Sequence, residues 1–379
     1  MNRPFTIIGG GIAGLTAAIA LQQIGIEATV MESDADFRAT GAGIVLAANA
    51  IKAYMYLGLY DLLSTAGSAI DQFTIYDAEG KVISRIETEG LKHSLADFAI
   101  HRASLHRVLL DQLKPGQIMT GKRCTGFTQN ATGYKLEFAD GSKDQCTYLI
   151  VADGIYSALR HQVLPTSKLR YAGYTCWRGI TDNTSINMKE TSETWGAKGR
   201  FGSVQLPDHR IYWFACKNAV ADDKKMMQFG PEELSDNFSH YHPPIAEIIL
   251  STHPEQILWN DIYDLQPISQ YAFGELVLIG DAAHATTPNM GQGACQAIED
   301  AVVLANCIKN SSSVKDAFKS FEQKRVGRTH EIVKQSWRLG KVAQLENNRL
   351  IQLRNYIFRK VPQQFYERQL SKIYDVEFN

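Results

Sequence analysis

Gly9, Gly11 and Gly14 are spaced as G-x-G-x-x-G, and Glu32 follows 18 residues after the last of them. This is chemistry for a dinucleotide. One glycine permits a tight strand-to-helix turn, the next lets backbone approach a pyrophosphate, and the third lets helix and strand pack closely. A helix opening at Ile12 would offer free N–H groups and a partial positive charge to the phosphates. An acid about 20 residues on can accept hydrogen bonds from a ribose. The flanking pattern agrees. Residues 4–8 read as a buried strand, 12–24 as a packed helix with Gly25 as its cap, and 26–31 as a second strand ending at Glu32. A glycine-rich turn with no ligand does not account for that order. The spacing alone does not separate NAD from FAD.

A second constellation lies near the other end, in Gly280-Asp281-Ala282-Ala283-His284 and Pro288-Asn289-Met290-Gly291-Gln292-Gly293. The apolar run 275–279 predicts a buried strand that delivers Asp281 at its carboxyl end, where open α/β sheets bind ligands. Asp281 can accept hydrogen bonds from hydroxyls such as those of a ribityl chain. Pro288 ends the loop rigidly. Gly291 to Gly293 then opens a helix over about 291–308, whose N-terminus favours a nearby negative charge. The alternative is an aspartate N-cap beside ordinary glycines. His284 reads as a structural histidine beside a buried turn, and no residue stands out as a general base.

The elements between these motifs suggest an interrupted nucleotide domain. Gly41-Ala42-Gly43-Ile44 precedes a helical stretch, 73–76 and 82–86 read as strands, and 103–113 as a helix. Residues 134–138 and 146–152 form a meander ending in Asp153-Gly154. Residues 171–216 are strand-rich and aromatic, and adjacent Tyr212 and Trp213 must point to opposite faces. Residues 232–241 and 244–251 read as helices. The expected class is α/β: a Rossmann-like domain interrupted by a β-sheet substrate domain, with C-terminal helices. Its expected bounds are 1–70, 96–170 and 268–340 for the nucleotide domain, 71–95 and 171–267 for the substrate domain, and 341–379 for the C-terminal segment. The Lys-rich span near 315–334 alternates with acids and reads as a solvated helix face. Tyr356, Phe358, Phe365, Tyr366 and Tyr374 are expected to cover the nucleotide domain or make a dimer contact.

Composition narrows the partners. The 379 residues are 45% hydrophobic and 21% charged, with a net charge of −1, which gives no reason to expect nucleic acid or an anionic membrane. No apolar run is long enough to span a bilayer. The six cysteines show no metal-like spacing, so reduced buried thiols, a cytoplasmic location and no metal are expected.

Three separated motifs, G-x-G-x-x-G with Glu32, Asp153-Gly154-x-x-Ser157-x-x-Arg160, and Gly280-Asp281 through Gly293, resemble the single-component FAD-dependent aromatic hydroxylases of the p-hydroxybenzoate hydroxylase type. The resemblance spans about residues 1–340. It implies FAD as tightly bound cofactor, NADH or NADPH as cosubstrate, and an aromatic or heteroaromatic small molecule plus dioxygen as substrates. Dioxygen would add to the reduced flavin at C4a, and the resulting hydroperoxide would hydroxylate the substrate. It implies that Gly9, Gly11, Ala13, Gly14, Glu32 and Ser33 surround the ADP half, with Ser33 where many relatives place arginine. Arg102 would contact the phosphate or ribityl region, and a backbone group at Cys124 the adenine. Asp153 would serve FAD packing and nicotinamide contact. Asp281 would hold the ribityl chain, and Pro288, Gly291, Gln292 and Gly293 would line the ring. Arg178, Arg200 and Tyr212 fall at substrate-side positions of the urate-hydroxylating members. Those members carry an acid after the proline, where this chain has Asn289. Arg178 and Arg200 could bind an anion or polarise a hydroxyl. The assembly expected is a monomer or homodimer. An epoxidase of the same fold, an NAD-dependent dehydrogenase and a flavin-binding protein with little turnover are the competing readings.

Overall fold

The computed structural model describes residues 3–36, 42–87, 95–182, 186, 188 and 190–378, so Gly41 lies outside the described residues. Its organising element is a parallel sheet. Strand Arg3–Ile8 sits centrally, with Lys143–Val151 on one side and Ala28–Met31 on the other. Leu276–Leu278 pairs parallel to Lys143–Val151, and Ile118–Met119 extends the opposite edge. The antiparallel strands Cys124–Asn130 and Gly133–Phe138 fold back onto Lys143–Val151. The central strands are apolar runs because helices cover the sheet. Helix Ile12–Gln23 is buried along every residue from Ile12 to Leu21 and packs against helix Gly293–Asn310. A helix apolar all round belongs inside a layered core.

A second sheet has seven strands in the order Leu258–Leu265, Leu169–Thr181, Ile211–Asn218, Gly199–Gln205, Thr191–Gly196, Gln72–Asp77 and Val82–Glu87. Its two faces divide by the period-2 alternation of strands. Trp177, Phe201, Trp213 and Ala215 point to one face and pack with Leu234, Phe238, Ile245 and Ile249 of two short helices. Cys176, Arg178, Arg200, Tyr212, Phe214 and Cys216 point to the other. A small third sheet, Gly43–Leu46, Asp97–His101 and Gly67–Ile70, stands between the two large ones; its strand at 67–70 gave no signal in the sequence.

Helices Val314–Ala343, Asn348–Lys360 and Gln363–Tyr374 end the chain. The first presents the solvated face expected of its Lys-rich sequence, with Lys315, Lys319, Lys324 and Lys334 exposed. Phe318, Phe321, Glu322, Arg325 and Thr329 are buried along another stripe. Tyr374 is buried and donates to Asp97 at 3.0 Å, whereas Phe358 packs edge-on to Trp195 in the second sheet. Tyr356 and Phe365 remain exposed. Among the described residues no helix is long and apolar enough to cross a membrane.

Candidate active site

Four neighbouring parallel strands end side by side, and each delivers one predicted feature at its carboxyl end. Arg3–Ile8 leads into Gly9, Ala28–Met31 into Glu32, Lys143–Val151 into Asp153-Gly154, and Leu276–Leu278 into Gly280-Asp281. The glycines are required sterically. A Cβ on Gly14 would lie 1.9 Å from the Gly9 carbonyl oxygen, and one on Gly9 2.3 Å from that of Ala152. Gly11, by contrast, has nothing within 4 Å of a Cβ, so its backbone faces open space. No side chain caps the helix that follows, and its first turn has no acid. Gly10 is held from both sides: its N–H donates to Glu32 at 2.6 Å, and its carbonyl meets His106 Nε2 at 2.8 Å.

A buried polar network pins the Gly280-Asp281 turn. Asp300 accepts from the Gly280 N–H at 2.8 Å and from Arg325 Nε at 2.6 Å, and lies 2.6 Å from His284 Nε2. Burial opposes its ionisation, but His284 and Arg325 hold Asp300 below the usual carboxylate range. Arg325 and Arg328 also share Glu299. His284 is therefore a structural group, as its sequence context suggested. Arg160, on the helix capped by Ser157, donates to the Ala282 carbonyl at 3.3 Å and to that of Ile155 at 2.7 Å, tying the Asp153 segment to the Asp281 turn. Asp281 makes no N-cap bond; its short helix has Gly280 as the uncapped entry residue, and the carboxylate opens onto a cavity.

That cavity, of about 390 Å³, lies between the ends of the parallel strands and the polar face of the second sheet. It brings together Gly11, Ala13, Arg102, Asp281, Pro288, Asn289, Gly291 and Gly293 with Arg178, Arg200 and Tyr212. Glu32, Ser33, Cys124, Asp153 and Gln292 do not line it. Glu32 stands at the next strand end, its second oxygen accepting from Ser33 Oγ and the Asp34 N–H at 2.8 Å each. Cys124 is buried beside Asp153. The Gln292 side chain turns inward to Asn49 and Gln296, which leaves only its backbone near the ring position expected for it.

The structure fits the dinucleotide. Asp153 Oδ1 is buried with no hydrogen-bond partner, and burial raises its pKa. Gly154 and Gly291 leave open space beside it and beneath the second helix, whose entry at Gln292 has no side-chain cap. An orphaned carboxylate, an uncapped helix on each side and a glycine-lined gap between them are what a long phosphate-linked molecule would fill.

On the substrate side the arginines behave differently. Arg200 is fully buried and fully engaged: Nη1 lies 3.1 Å from Glu193, Nη2 donates to Asn289 at 2.7 Å, and Nε donates to Gln344 at 3.2 Å. Burial keeps Glu193 above the usual carboxylate range despite Arg200, while Glu193 and its neighbours outweigh burial and carry the Arg200 pKa upward. Asn289 is clamped too. Its Oδ1 also accepts from Tyr174 at 3.0 Å, and its Nδ2 donates to Thr287 and the Ser336 carbonyl at 2.9 Å each. Arg178 donates to Asn260 at 3.3 Å and faces the Cys176 thiol, and its buried Nε has no hydrogen-bond partner. Tyr212 presents its ring to the cavity and Trp213 packs on the far face, as alternation required. Gly43 lets the Tyr212 ring lie flat, since a Cβ there would meet it at 2.6 Å. Sequence reasoning missed Glu193, Cys176, Cys216 and Gly43; only the cross-strand register puts them at the site.

Comparison with known proteins agrees with this geometry. Residues 3–336 match the family described as FAD binding domain. The chain is 37% identical over 344 residues to the aurachin C monooxygenase/isomerase of Stigmatella aurantiaca, covering 90% of each chain. It is 31% identical to the 2-heptyl-3-hydroxy-4(1H)-quinolone synthase of Pseudomonas aeruginosa, covering 94% of each. The structure of Klebsiella pneumoniae HpxO complexed with FAD and uric acid superposes with a TM-score of 0.89 at 28% identity, covering 97% of this chain and 96% of that one.

Proposed function

The chain belongs to the FAD binding domain family, and from that premise we propose that it hydroxylates an uncharged bicyclic N-heteroaromatic ring of the quinolone type. It is an FAD-dependent monooxygenase of the aromatic hydroxylase class. Bound FAD, reduced by NAD(P)H, supplies the activation of dioxygen. The protein's own residues bind, orient and shield. Gly9 to Gly14, Glu32 and Asp153 would hold the ADP half, and Asp281 and the segment from Pro288 to Gly293 the flavin half.

The observation that carries the substrate class is the consumption of Arg200. Glu193 neutralises its charge, and Asn289 and Gln344 each take a further N–H, so that end of the cavity offers no free cation to a carboxylate or urate anion. Asn289 has no hydrogen-bonding capacity left for a ligand. What remains is mostly apolar: Val45, Phe214, Ala294 and the Tyr212 ring, with Arg178 as an under-partnered donor. A ring with a single oxo or hydroxyl group suits this lining. Arg178 would meet the oxygen and stabilise the negative charge that gathers there as the ring is oxidised. A purine trione, polar along nearly every edge, would leave buried groups unpaired, each costing about 1–3 kcal/mol. The names of the aurachin and quinolone relatives support the same class.

The test is a substrate panel on the FAD-loaded protein, measuring NAD(P)H consumption and the mass of the product. An alkyl-4-quinolone should accelerate NAD(P)H oxidation and gain one oxygen, while urate and 4-hydroxybenzoate should do neither. Hydroxylation of urate in preference to the quinolone would overturn the reading.

A further inference from the structure

Cys176 and Cys216 stand directly opposite each other on the antiparallel strands Leu169–Thr181 and Ile211–Asn218. Both are buried and both line the cavity, and the Cys176 thiol donates to the Trp177 carbonyl at 3.4 Å. Directly opposed residues of an antiparallel pair hold their Cα atoms about 4.5–5.5 Å apart. That spacing lies within the window of about 4.4–6.8 Å that a disulfide requires. The Arg178 cation and the Glu193-paired Arg200 guanidinium flank the pair. Arg200 is the next residue in the same cross-strand row, opposite Cys216, and Arg178 follows Cys176 on the same face of its strand.

We infer that Cys176 and Cys216 form a peroxide-reactive dithiol in the floor of the substrate cavity, which hydrogen peroxide converts to a disulfide. The electrostatics agree with the geometry. The neighbouring Cys216 thiol and the Arg178 and Arg200 guanidiniums outweigh burial and bring the Cys176 thiol below its ordinary value. Cys216, beside Cys176 and buried, is pushed up instead. In contrast, burial raises Cys124 to about 11, and Cys146 and Cys295 to about 12. The thiolate is the reactive form, so the cavity pair should oxidise before these.

The chemistry closes with peroxide alone. The Cys176 thiolate attacks one peroxide oxygen, the O–O bond breaks, and hydroxide leaves, which oxidises the sulfur to a sulfenic acid. Cys216 loses its proton to that hydroxide and attacks the sulfenic sulfur. The S–O bond breaks, the S–S bond forms, and the leaving oxygen takes a proton to become water. In sum, two thiols and one hydrogen peroxide give one disulfide and two waters. Hydrogen peroxide is the two-electron reduction product of dioxygen, which an enzyme of this class consumes beside this cavity. The closed disulfide would remove the anion facing Arg178 and Arg200 and tie two strands of the cavity floor together.

The experiment exposes the FAD-loaded protein to hydrogen peroxide, quenches it in denaturant with an alkylating reagent, and maps the peptides. The expected product joins the peptides of Cys176 and Cys216, disappears on dithiothreitol treatment, and forms while Cys124, Cys146 and Cys295 still alkylate. Cys176→Ser and Cys216→Ser should each abolish it, and the wild-type result stands without them if either fails to fold. Recovery of both cysteines as alkylated thiols, or linkage to other cysteines at the same rate, would overturn the inference.

Discussion

Asn289→Asp is the most informative substitution in the site, because it introduces the acid that the family resemblance implies for urate-hydroxylating members at that position. Simple charge reasoning would expect a gain: a carboxylate two residues from Thr287, facing Arg200. The hydrogen bonds say otherwise. Asn289 Nδ2 donates to Thr287 Oγ1 and to the Ser336 carbonyl, and a carboxylate donates nothing. The Thr287 hydroxyl can turn to donate, but the Ser336 carbonyl cannot. It would face an anion in a space so tight that a Cβ on the neighbouring Gly340 would collide with the amide. The carbonyl keeps its bond within helix Val314–Ala343, so the loss is one hydrogen bond, about 0.5–1.5 kcal/mol, plus the repulsion from the carboxylate. The offsetting attraction to Arg200 is reduced because Glu193 already occupies that guanidinium. The two carboxylates would repel, raising the new aspartate above its unfolded value. Protonation then stabilises the folded variant. Its deficit against wild type should be small in acid and grow as pH rises through the folded-state pKa. Thermal melts of the FAD-loaded proteins in mildly acidic and mildly alkaline buffer read both effects: a midpoint lower by a few degrees, with the gap widening in alkali. A variant that melts at or above wild type at every pH would refute the clamped-donor argument, and one that gains urate turnover would refute the substrate class built on it.

Asp281→Ala should weaken FAD binding without unfolding the chain, and stoichiometric flavin absorbance retained through gel filtration would count against its role. Gly43→Ala puts a methyl 2.6 Å from the Tyr212 ring, an overpacking worth about 1–3 kcal/mol, and drives that ring into the cavity. The quinolone KM should rise while FAD content holds, and unchanged kinetics would show that Tyr212 does not bound the substrate space. Burial raises Asp97 from 3.8 to about 6, a change corresponding to about 3 kcal/mol. Since the folded value is the higher one, this stability is present at low pH and lost as pH rises through about 6. Asp97→Asn keeps an acceptor for the Ala48 N–H and should flatten the pH dependence of the melting midpoint across that window. A variant with the wild-type slope would reject the assignment.

The cofactor end of this protein was legible because its signals are local. A tight turn needs glycine within a few residues of the strand it ends, so Gly9 to Gly14 and Gly280 to Gly293 carry their meaning in short stretches. The helix expected over 291–308 is the observed Gly293–Asn310. The face assignment of Tyr212 against Trp213 was equally local, since alternation depends only on the strand. What was not legible shares a cause. Nothing within its helix announces that Arg325 meets Asp300 and Glu299 across the core. Nothing near Gln292 announces that its side chain turns to Asn49 and Gln296.

The amino-acid sequence by itself determined the cofactor chemistry, the α/β class and the order in which the chain leaves and re-enters its nucleotide fold. These follow from glycine positions, apolar periods and one acid at a strand end. Only the tertiary structure decided the state of the substrate pocket. Whether Arg200 is a free cation or a neutralised one depends on Glu193, Asn289 and Gln344, which reach it from separate strands and helices. Whether Cys176 and Cys216 are inert core thiols or a reactive pair depends on the register of two strands. Charge and hydrogen bonding act over a few ångströms of space, and in a pocket built from many elements those ångströms are set by how the elements pack.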